Sequence, residues 1–567
     1  MTTFPERLRT LHTRTSSRVA LTLQFSGAVR ATDDLSLTLD QLLRGASSYA
    51  RAYSNAGIQP GEVIVLILQH GEDLVYAFWG AILHGAIPSI MPFLTEKLSP
   101  ERYRADLAAL ISVTQPAAIT TYPEFESEVR SALKVGDSVR EVVVTNKIEK
   151  QPDLDFDSLS GFQRKPDDVV ILQHSSGTTG LQKGVALSHQ AVFNQLNSYG
   201  NALVLNENDV VVSWLPLYHD MGLIAGFILP ILSGVHLVLI SPFDWVRAPY
   251  KLMQSVTKYR GTLSWLPNFA YNFCAQKIRD RHLEGVDLSS WRAIINCSEP
   301  VRWESHQTFY EKFKSYGLKL EALQTSYAMA ENVFSVTQSP LGSEPVVVEI
   351  DLESFMSKRV AKNPSEGHPA MKMMSSGRPL ENVKVKVVDE NRNEVAERVI
   401  GEVALKSDCM LTGYYHRDDI TDKAFADGWY LTGDYGFIAD GEVFVSGRKK
   451  DMIIVGGKNV YPQDLETLTY EVAGVHAGRS VAFGMFNEEE GTEEVVIIAE
   501  VDSEDSGEQQ KIADAIRLHV TKNSAIALRY VRAVDPKWIL KTSSGKTARS
   551  ANKDKFLAEL QKELSEG

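Results

Sequence analysis

HSSGTTGLQKG, His174–Gly184, follows directly on the strand-like run VVILQ, Val169–Gln173. Its eleven residues hold two serines, two threonines, three glycines and a lysine. Such a segment is too polar and too flexible for a buried core. A loop leaving the carboxyl end of a parallel strand lies where open α/β sheets bind ligands, so that placement is the expectation here. Gly177, Gly180 and Gly184 permit tight backbone paths. Amides and the hydroxyls of Ser175, Ser176, Thr178 and Thr179 suit phosphate oxygens, and Lys183 adds positive charge. The spacing GxxxxGK followed by Ser or Thr is absent, so this is not a Walker loop. Taken alone, the segment fits a phosphate loop or a surface turn.

Working outward, the rhythm is helix and strand in alternation. Thr38 and Gln41 form a capping box, and Leu42, Leu43, Ala46, Tyr49, Ala50 and Tyr53 then line one helical face, with Gly57 as a stop. VIVLIL, Val63–Leu68, is a continuous apolar run, as in a strand covered on both sides. A helix through EDLVYAFWGAILHG and a strand entry at PSIMPF follow. AAIT, VREVVV, VVVSWLP, HLVLI, TLSWLP and AIINC continue the set. This predicts a large α/β region with parallel sheets to about residue 345.

The pattern then changes. VKVKVVD (383–389) and GEVALKS (401–407) read as antiparallel strands of a smaller β-rich part. An additional segment at 349–372 is longer than a connection requires. A boundary falls at SGRKKD, dividing the chain into 1–447 and 448–567. Beyond it, RSVAFG, EEVVIIAEV and ALRYVRAV read as strands, with helices at QQKIADAIRLHV and SANKDKFLAELQKEL: a small, mobile α+β domain. That domain carries a second polar, lysine-bearing loop, KTSSGKTAR, Lys541–Arg549. Two such loops on different domains imply one nucleotide site completed by closure, which excludes water and strengthens electrostatic catalysis.

Composition bounds the rest. A chain of 567 residues with 44% apolar content supports more than one folded unit. A net charge of −13 argues against broad nucleic-acid binding. Cys274, Cys297 and Cys409 match no zinc or disulfide spacing, and a reducing cytoplasm is expected. The N-terminal MTTFPERLRTLHTRT has no apolar leader core. The most apolar stretch, Ala225–Ile240, is broken by Pro230, Ser233, Gly234 and His236. It falls short of the about 20 residues of a spanning helix, so no transmembrane segment is expected.

The chain resembles the adenylate-forming superfamily of acyl-CoA synthetases, adenylation domains and luciferases. HSSGTTGLQKG, SWLPLYHDMGLI, TSYAMAEN, YLTGDYG, SGRKKDMIIVGGKNVYPQDLE and KTSSGKTAR stand in the family's order over nearly the whole chain. YHDMGLI, SEPVR, YPQDLE and the extra segment before SGRPL are most similar to the fatty acyl-AMP ligases. The resemblance implies ATP and Mg²⁺, a fatty acid substrate, and a separate acyl carrier protein as acceptor. It also implies that the 349–372 segment impedes the domain movement needed for transfer to CoA.

The same resemblance assigns roles. Lys546 is the catalytic lysine bridging carboxylate and α-phosphate. Ser175, Ser176, Gly177, Thr178, Thr179, Gly180 and Lys183 hold phosphates. Ser298, Glu299, Pro300, Tyr327, Ala328 and Met329 frame the nucleotide, with the Tyr327 ring face against adenine. Asp434 accepts from the ribose hydroxyls, Arg448 adds a ribose or phosphate contact, Lys450 marks the hinge, and Glu331 is the magnesium ligand. His219 fits a core residue, a carboxylate contact or a gate for the incoming thiol. His174, Cys297, Ser298, Ala328 and GGKN depart from the subfamily pattern without removing a catalytic group. An acyl-CoA ligase is the nearest alternative, and a non-catalytic nucleotide-binding protein a remoter one.

Overall fold

The computed structural model describes residues 2–25, 34–93, 100–149, 153–175, 183–455, 458–487, 492–524, 526–542 and 545–566. Local signals near the N-terminus are realised directly. The Thr38 hydroxyl accepts the Gln41 N–H at 3.2 Å, and the Gln41 side chain accepts the Thr38 N–H at 2.9 Å, starting the helix Leu39–Asn55. Its apolar face is buried, and Gly57, at φ 72°, turns the chain out of it.

Two parallel sheets follow from the apolar runs. Val63–Ile67 lies between Ile87–Ile90 and Ala118–Thr121, and Glu141–Val144 completes a four-stranded parallel sheet. The larger sheet has seven strands. Its order is Leu323–Thr325, Ala293–Asn296, Leu263–Leu266, Val210–Ser213, His236–Ile240, Val19–Gln24 and Leu35–Thr38. Only the last pair is antiparallel. The apolar Ala225–Ile240 stretch folds as expected into a buried helix end, a turn at Gly234 and a buried strand. The helix end is a π-helix, Met221–Ile228, which the sequence reading does not foresee. Gly222 and Gly226 let it press on its neighbours. A Cβ at Gly222 would stand 2.2 Å from the Pro216 carbonyl oxygen, and one at Gly226 2.7 Å from the Ser213 hydroxyl.

One expectation fails. VVILQ does not join a parallel sheet. Val169–Ser175 turns back as Lys183–Ser188 in an antiparallel hairpin, and Gly413–Tyr414 adds to the far edge of the return strand. The strands that flank the polar stretch are therefore antiparallel, and the stretch does not leave a strand of a parallel sheet. Leu172 and Ala186 pack with Val63 and Ile87, seating the hairpin against the four-stranded sheet. That packing buries the strand on both sides, so its residue pattern matches that of a parallel strand.

The smaller part is antiparallel: Val383–Val388, Gly401–Ser407, Trp429–Ala439 and Glu442–Arg448, with Phe425–Ala426 at one edge. The C-terminal domain pairs Val475–Asn487 with Thr492–Val501 antiparallel and adds Leu528–Val534 in parallel, beside the helices Ser506–Ser524 and Arg549–Glu566.

The additional segment is an ordered module. Val347–Asp351 and Ala370–Met374 form an antiparallel pair around the helix Leu352–Lys358. Asp351 caps that helix by accepting the Ser354 N–H at 2.8 Å. Ile350, Phe355, Met356 and Ala361 share one apolar core with Tyr461, Leu465, Ala482, Val495 and Ile497 of the C-terminal domain. The Phe355 and Tyr461 rings lie 5.7 Å apart. Among the described residues, no helix is long and apolar enough to cross a membrane.

Candidate active site

Three of the singled-out motifs leave the carboxyl ends of strands in the seven-stranded sheet. SWLPLYHDMGLI follows Val210–Ser213, SEPVR follows Ala293–Asn296, and TSYAMAEN follows Leu323–Thr325. They converge where such sheets bind ligands.

Tyr327 begins the site. Its N–H donates to the Thr337 hydroxyl at 3.0 Å, and its ring is buried. Its hydroxyl donates to Asp434 Oδ2 at 2.6 Å. Asp434 sits in the strand Trp429–Ala439, directly across from Arg448, whose Nε is 3.5 Å from Oδ1. The Asp434 N–H is held by the Thr432 hydroxyl at 3.0 Å. Burial pushes the Asp434 carboxyl up, against the pull of Arg448, the Tyr327 hydroxyl, Lys546 and Lys450. The Tyr327 hydroxyl orients the carboxylate opposite Arg448, a contact that the ring-face expectation for Tyr327 does not include.

Glu331 lies in the single 3₁₀ turn Ala330–Asn332, closed by a strained residue. Val333 is β-branched, fully buried and at φ 63°, ψ −55°, and the Phe334 N–H donates to the Asn332 carbonyl at 2.7 Å. That γ-turn costs on the order of 1–3 kcal/mol, sustained by the surrounding packing. Flanking bonds fix the same loop: Ala328 bridges Ser335, and the Met329 N–H donates to Phe334 at 2.8 Å.

The Glu331 carboxylate accepts the Tyr414 hydroxyl at 2.8 Å, and the Tyr430 hydroxyl lies 3.0 Å from that of Tyr414. Lys183 Nζ stands 5.0 Å from the centre of the Tyr414 ring. Burial raises the Glu331 carboxyl and the charge of Asp220 adds to it, while the Tyr414 bond opposes them. A half-buried carboxylate with the charge of a second carboxylate acting on it offers the hard oxygen chemistry that suits Mg²⁺.

Asp220 Oδ1 accepts the Met221 N–H at 2.8 Å at the start of the π-helix. Preceding it, His219 accepts the Leu223 N–H on its carbonyl at 2.7 Å. Cys297 is fully buried, with its sulfur 3.0 Å from Met221 Sδ. Ser298 adopts φ 70°, a left-handed conformation, and Glu299 Oε2 accepts the Phe269 N–H at 3.0 Å, bringing negative charge to the start of the helix Asn268–Lys277. Pro300 leads from there to Arg302, which pairs with Asp464 of the C-terminal domain at 2.7 Å.

Lys546 comes from that domain. The Thr542 N–H donates to the Lys546 carbonyl at 2.8 Å and the Gly545 N–H to the Thr542 carbonyl at 2.9 Å. Gly545 supplies the φ of 81° this tight turn needs. The positive charge of Lys546 lies within electrostatic reach of Asp434 and Cys297. Behind it, Arg549 spans Asp451 at 2.9 Å, Glu466 at 2.6 Å and the Ala482 carbonyl at 2.8 Å. Burial and the like charges of Arg448 and Lys183 lower Lys450 to about 8.

The structure thus gathers Lys183, Tyr327, Glu331, Asp434, Arg448 and Lys546, with His219 and Ser298 on adjoining segments. Ser176, Gly177, Thr178, Thr179 and Gly180, and the side chain of Ser175, lie outside the described residues. Sequence reasoning missed Tyr414, Tyr430 and Asp220. Tyr430 and Asp220 stand inside quoted motifs, so position there was an available signal. Tyr414, in LTGYY, carried none.

The profile of the AMP-binding enzyme family matches residues 12–415. Among curated proteins, the medium-chain fatty acid–acyl-carrier-protein ligase JamA of Moorena producens is 30% identical over 522 residues, covering 88% of this chain and 86% of its own length. The long-chain fatty acid–AMP ligase FadD28 of Mycobacterium bovis is 31% identical over 547 residues, 91% of each chain. A structure from a study of fatty acyl-adenylate ligases of E. coli and L. pneumophila superposes with a TM-score of 0.89 at 25% identity, over 100% of this chain and 99% of that one.

Proposed function

The chain belongs to the AMP-binding enzyme family, and from that membership we propose that it is a fatty acyl-AMP ligase. It joins a fatty acid to ATP to give acyl-AMP and pyrophosphate, then passes the acyl group to the phosphopantetheine thiol of a separate carrier protein. The observation that carries this reading is Asp434, held by the Tyr327 hydroxyl at 2.6 Å across from Arg448, with the charge of Lys546 from the C-terminal domain within electrostatic reach. The relatives JamA and FadD28 support it by their names.

The chemistry demands such a site. A carboxylate oxygen attacks the α-phosphorus of ATP, the bond from that phosphorus to the bridging oxygen breaks, and pyrophosphate leaves. Two anions must approach, so fixed positive charge and oriented donors lower the barrier. Lys546 bridges the carboxylate and the α-phosphate. Lys183 holds the outer phosphates with the amides and hydroxyls of the 175–180 loop. Asp434 accepts the ribose hydroxyls, held by Tyr327 and accompanied by Arg448, and the Tyr327 ring lies against adenine. Glu331 would hold Mg²⁺, which neutralises phosphate charge when bound. In the second half-reaction the thiolate attacks the acyl carbonyl carbon and AMP leaves.

Carrier protein rather than CoA is the acceptor we favour. The 349–372 segment shares an apolar core with the C-terminal domain, and rotation of that domain for CoA transfer would expose it. Division of the chain at 447/448 places the hinge beside Lys450. Three buried thiols without a disulfide fit a reducing cytoplasm.

The test is to incubate the protein with ATP, magnesium, dodecanoate and CoA and to quantify products by mass spectrometry. Acyl-AMP with little acyl-CoA is expected. Rapid acyl-CoA formation would replace this reading with a CoA ligase, and no adenylate from any carboxylate tested would return the protein to a nucleotide binder.

A further inference from the structure

The segment Leu411–Tyr415 belongs to none of the motifs that mark the site, yet it joins two of them. Its backbone reaches both: the Leu411 N–H donates to the Glu331 carbonyl at 2.8 Å, and the Tyr415 N–H donates to the Gly184 carbonyl at 2.8 Å. The side chain of Tyr414 does the same. The Tyr414 hydroxyl donates to Glu331 at 2.8 Å, and the ring face lies 5.0 Å from the Lys183 ammonium. A phenol suits both ends, because its face attracts a cation and its hydroxyl donates to an anion.

We propose that Tyr414 is a positioning residue that couples the phosphate-loop lysine Lys183 to the carboxylate Glu331. The inference rests on the reading of Glu331 as the magnesium ligand. With its proton committed to Glu331, Tyr414 accepts from Tyr430, whose strand also carries Asp434. The resulting chain, Tyr430 to Tyr414 to Glu331, is buried at both tyrosines, and successive hydrogen bonds in such a setting strengthen one another. Lys183 and Glu331 are thereby spaced before any phosphate arrives. Tyr414 touches both groups, one through its ring face and one through its hydroxyl, and holds each in its own place.

The experiment needs no turnover. ATP affinity is measured by calorimetry with and without magnesium, fatty acid omitted, for the parent, Tyr414→Phe, Tyr414→Leu, Tyr430→Phe and Glu331→Gln. Magnesium dependence of adenylate formation is measured alongside. In Tyr414→Phe the ring still faces Lys183, so metal-free ATP affinity stays at the parent value. The gain in affinity that magnesium brings shrinks by about tenfold, as for loss of a hydrogen bond that orients a metal ligand. Half-saturating magnesium in the activity assay rises by the same factor, with a smaller change in kcat. Tyr414→Leu also loses metal-free ATP affinity. Tyr430→Phe moves in the direction of Tyr414→Phe by less, and decides the matter if the Tyr414 variants do not fold. A parent-like magnesium gain in Tyr414→Phe overturns the proposal. If Glu331→Gln loses that gain while Tyr414→Phe keeps it, the coupling alone is wrong. If Glu331→Gln keeps it, the metal reading falls and the coupling with it.

Discussion

The carboxylates of the site and the lysine that meets them are held by opposite means. Asp434 and Glu331 are set into the large α/β body through short buried bonds from Tyr327 and Tyr414, and each of those bonds links residues far apart in sequence. Among the described residues, Lys546 is held locally, by a tight turn whose own backbone closes it. Its place in the site depends on how the whole C-terminal domain is seated. In the proposed reaction the nucleotide half would be organised before closure, and the catalytic charge would arrive as a unit with its domain. Preorganised dipoles and charges of this kind cost nothing to align at the moment of reaction.

Breaking the seat should produce the largest effect. Phe355, on the helix of the additional segment, is 2% exposed and packs on Tyr461 in the shared core. Phe355→Ala leaves a cavity there and is expected to cost about 3 kcal/mol, the lower end for a buried phenylalanine. Urea unfolding should record the loss in the transition of the C-terminal domain, and the same variant should form more acyl-CoA relative to acyl-AMP. Unchanged stability would mean that the segment and the domain do not support each other. Unchanged product ratio with lowered stability would separate packing from acceptor choice.

Removing the arriving charge is the next largest. Lys546→Ala should slow adenylate formation by at least about a hundredfold, roughly 2.7 kcal/mol of barrier. ATP affinity and the unfolding midpoint should stay near the parent values, because the ammonium acts on the reacting groups and its turn is closed by its own backbone. A parent-like rate of adenylate formation would remove Lys546 from the chemistry and the comparison with it.

The two regions also differ in how much of them is legible in the sequence. The capping box at Thr38 and Gln41, the covered run Val63–Ile67 and the small domain's strands are local patterns, and the chain realises them where the patterns stand. The Val169–Ser175 hairpin defeats the same reasoning. A strand buried on both faces carries the same residues whether its neighbour runs parallel or antiparallel, so direction is not written in the run itself. The motifs placed most site residues through resemblance rather than through periodicity. Tyr414 lay beyond both: it is 83 residues from Glu331, and only the fold brings the hydroxyl to the carboxylate. Likewise, nothing in the 349–372 segment announces Tyr461 as its packing partner. Contacts between distant elements are made by shape, and a single sequence does not display shape.

The smallest effect sharpens the comparison most finely. Arg302 leaves the SEPVR motif of the body and pairs with Asp464 of the C-terminal domain at 2.7 Å, with 20% and 30% of their side chains exposed. Partial solvation screens such a pair, so Arg302→Ala should cost only about 0.5–1 kcal/mol in the closed arrangement. The cost falls on seating rather than on chemistry, and its signature follows from that. Charges in contact with solvent weaken with ionic strength, whereas the apolar core around Phe355 does not. The parent should therefore lose a little adenylation rate as salt rises from low to high, and Arg302→Ala should start at the lower rate and lose less. A salt response equal to the parent's would show that the pair does not help seat the domain, leaving the shared apolar core as the main fastening that brings Lys546 to the carboxylates.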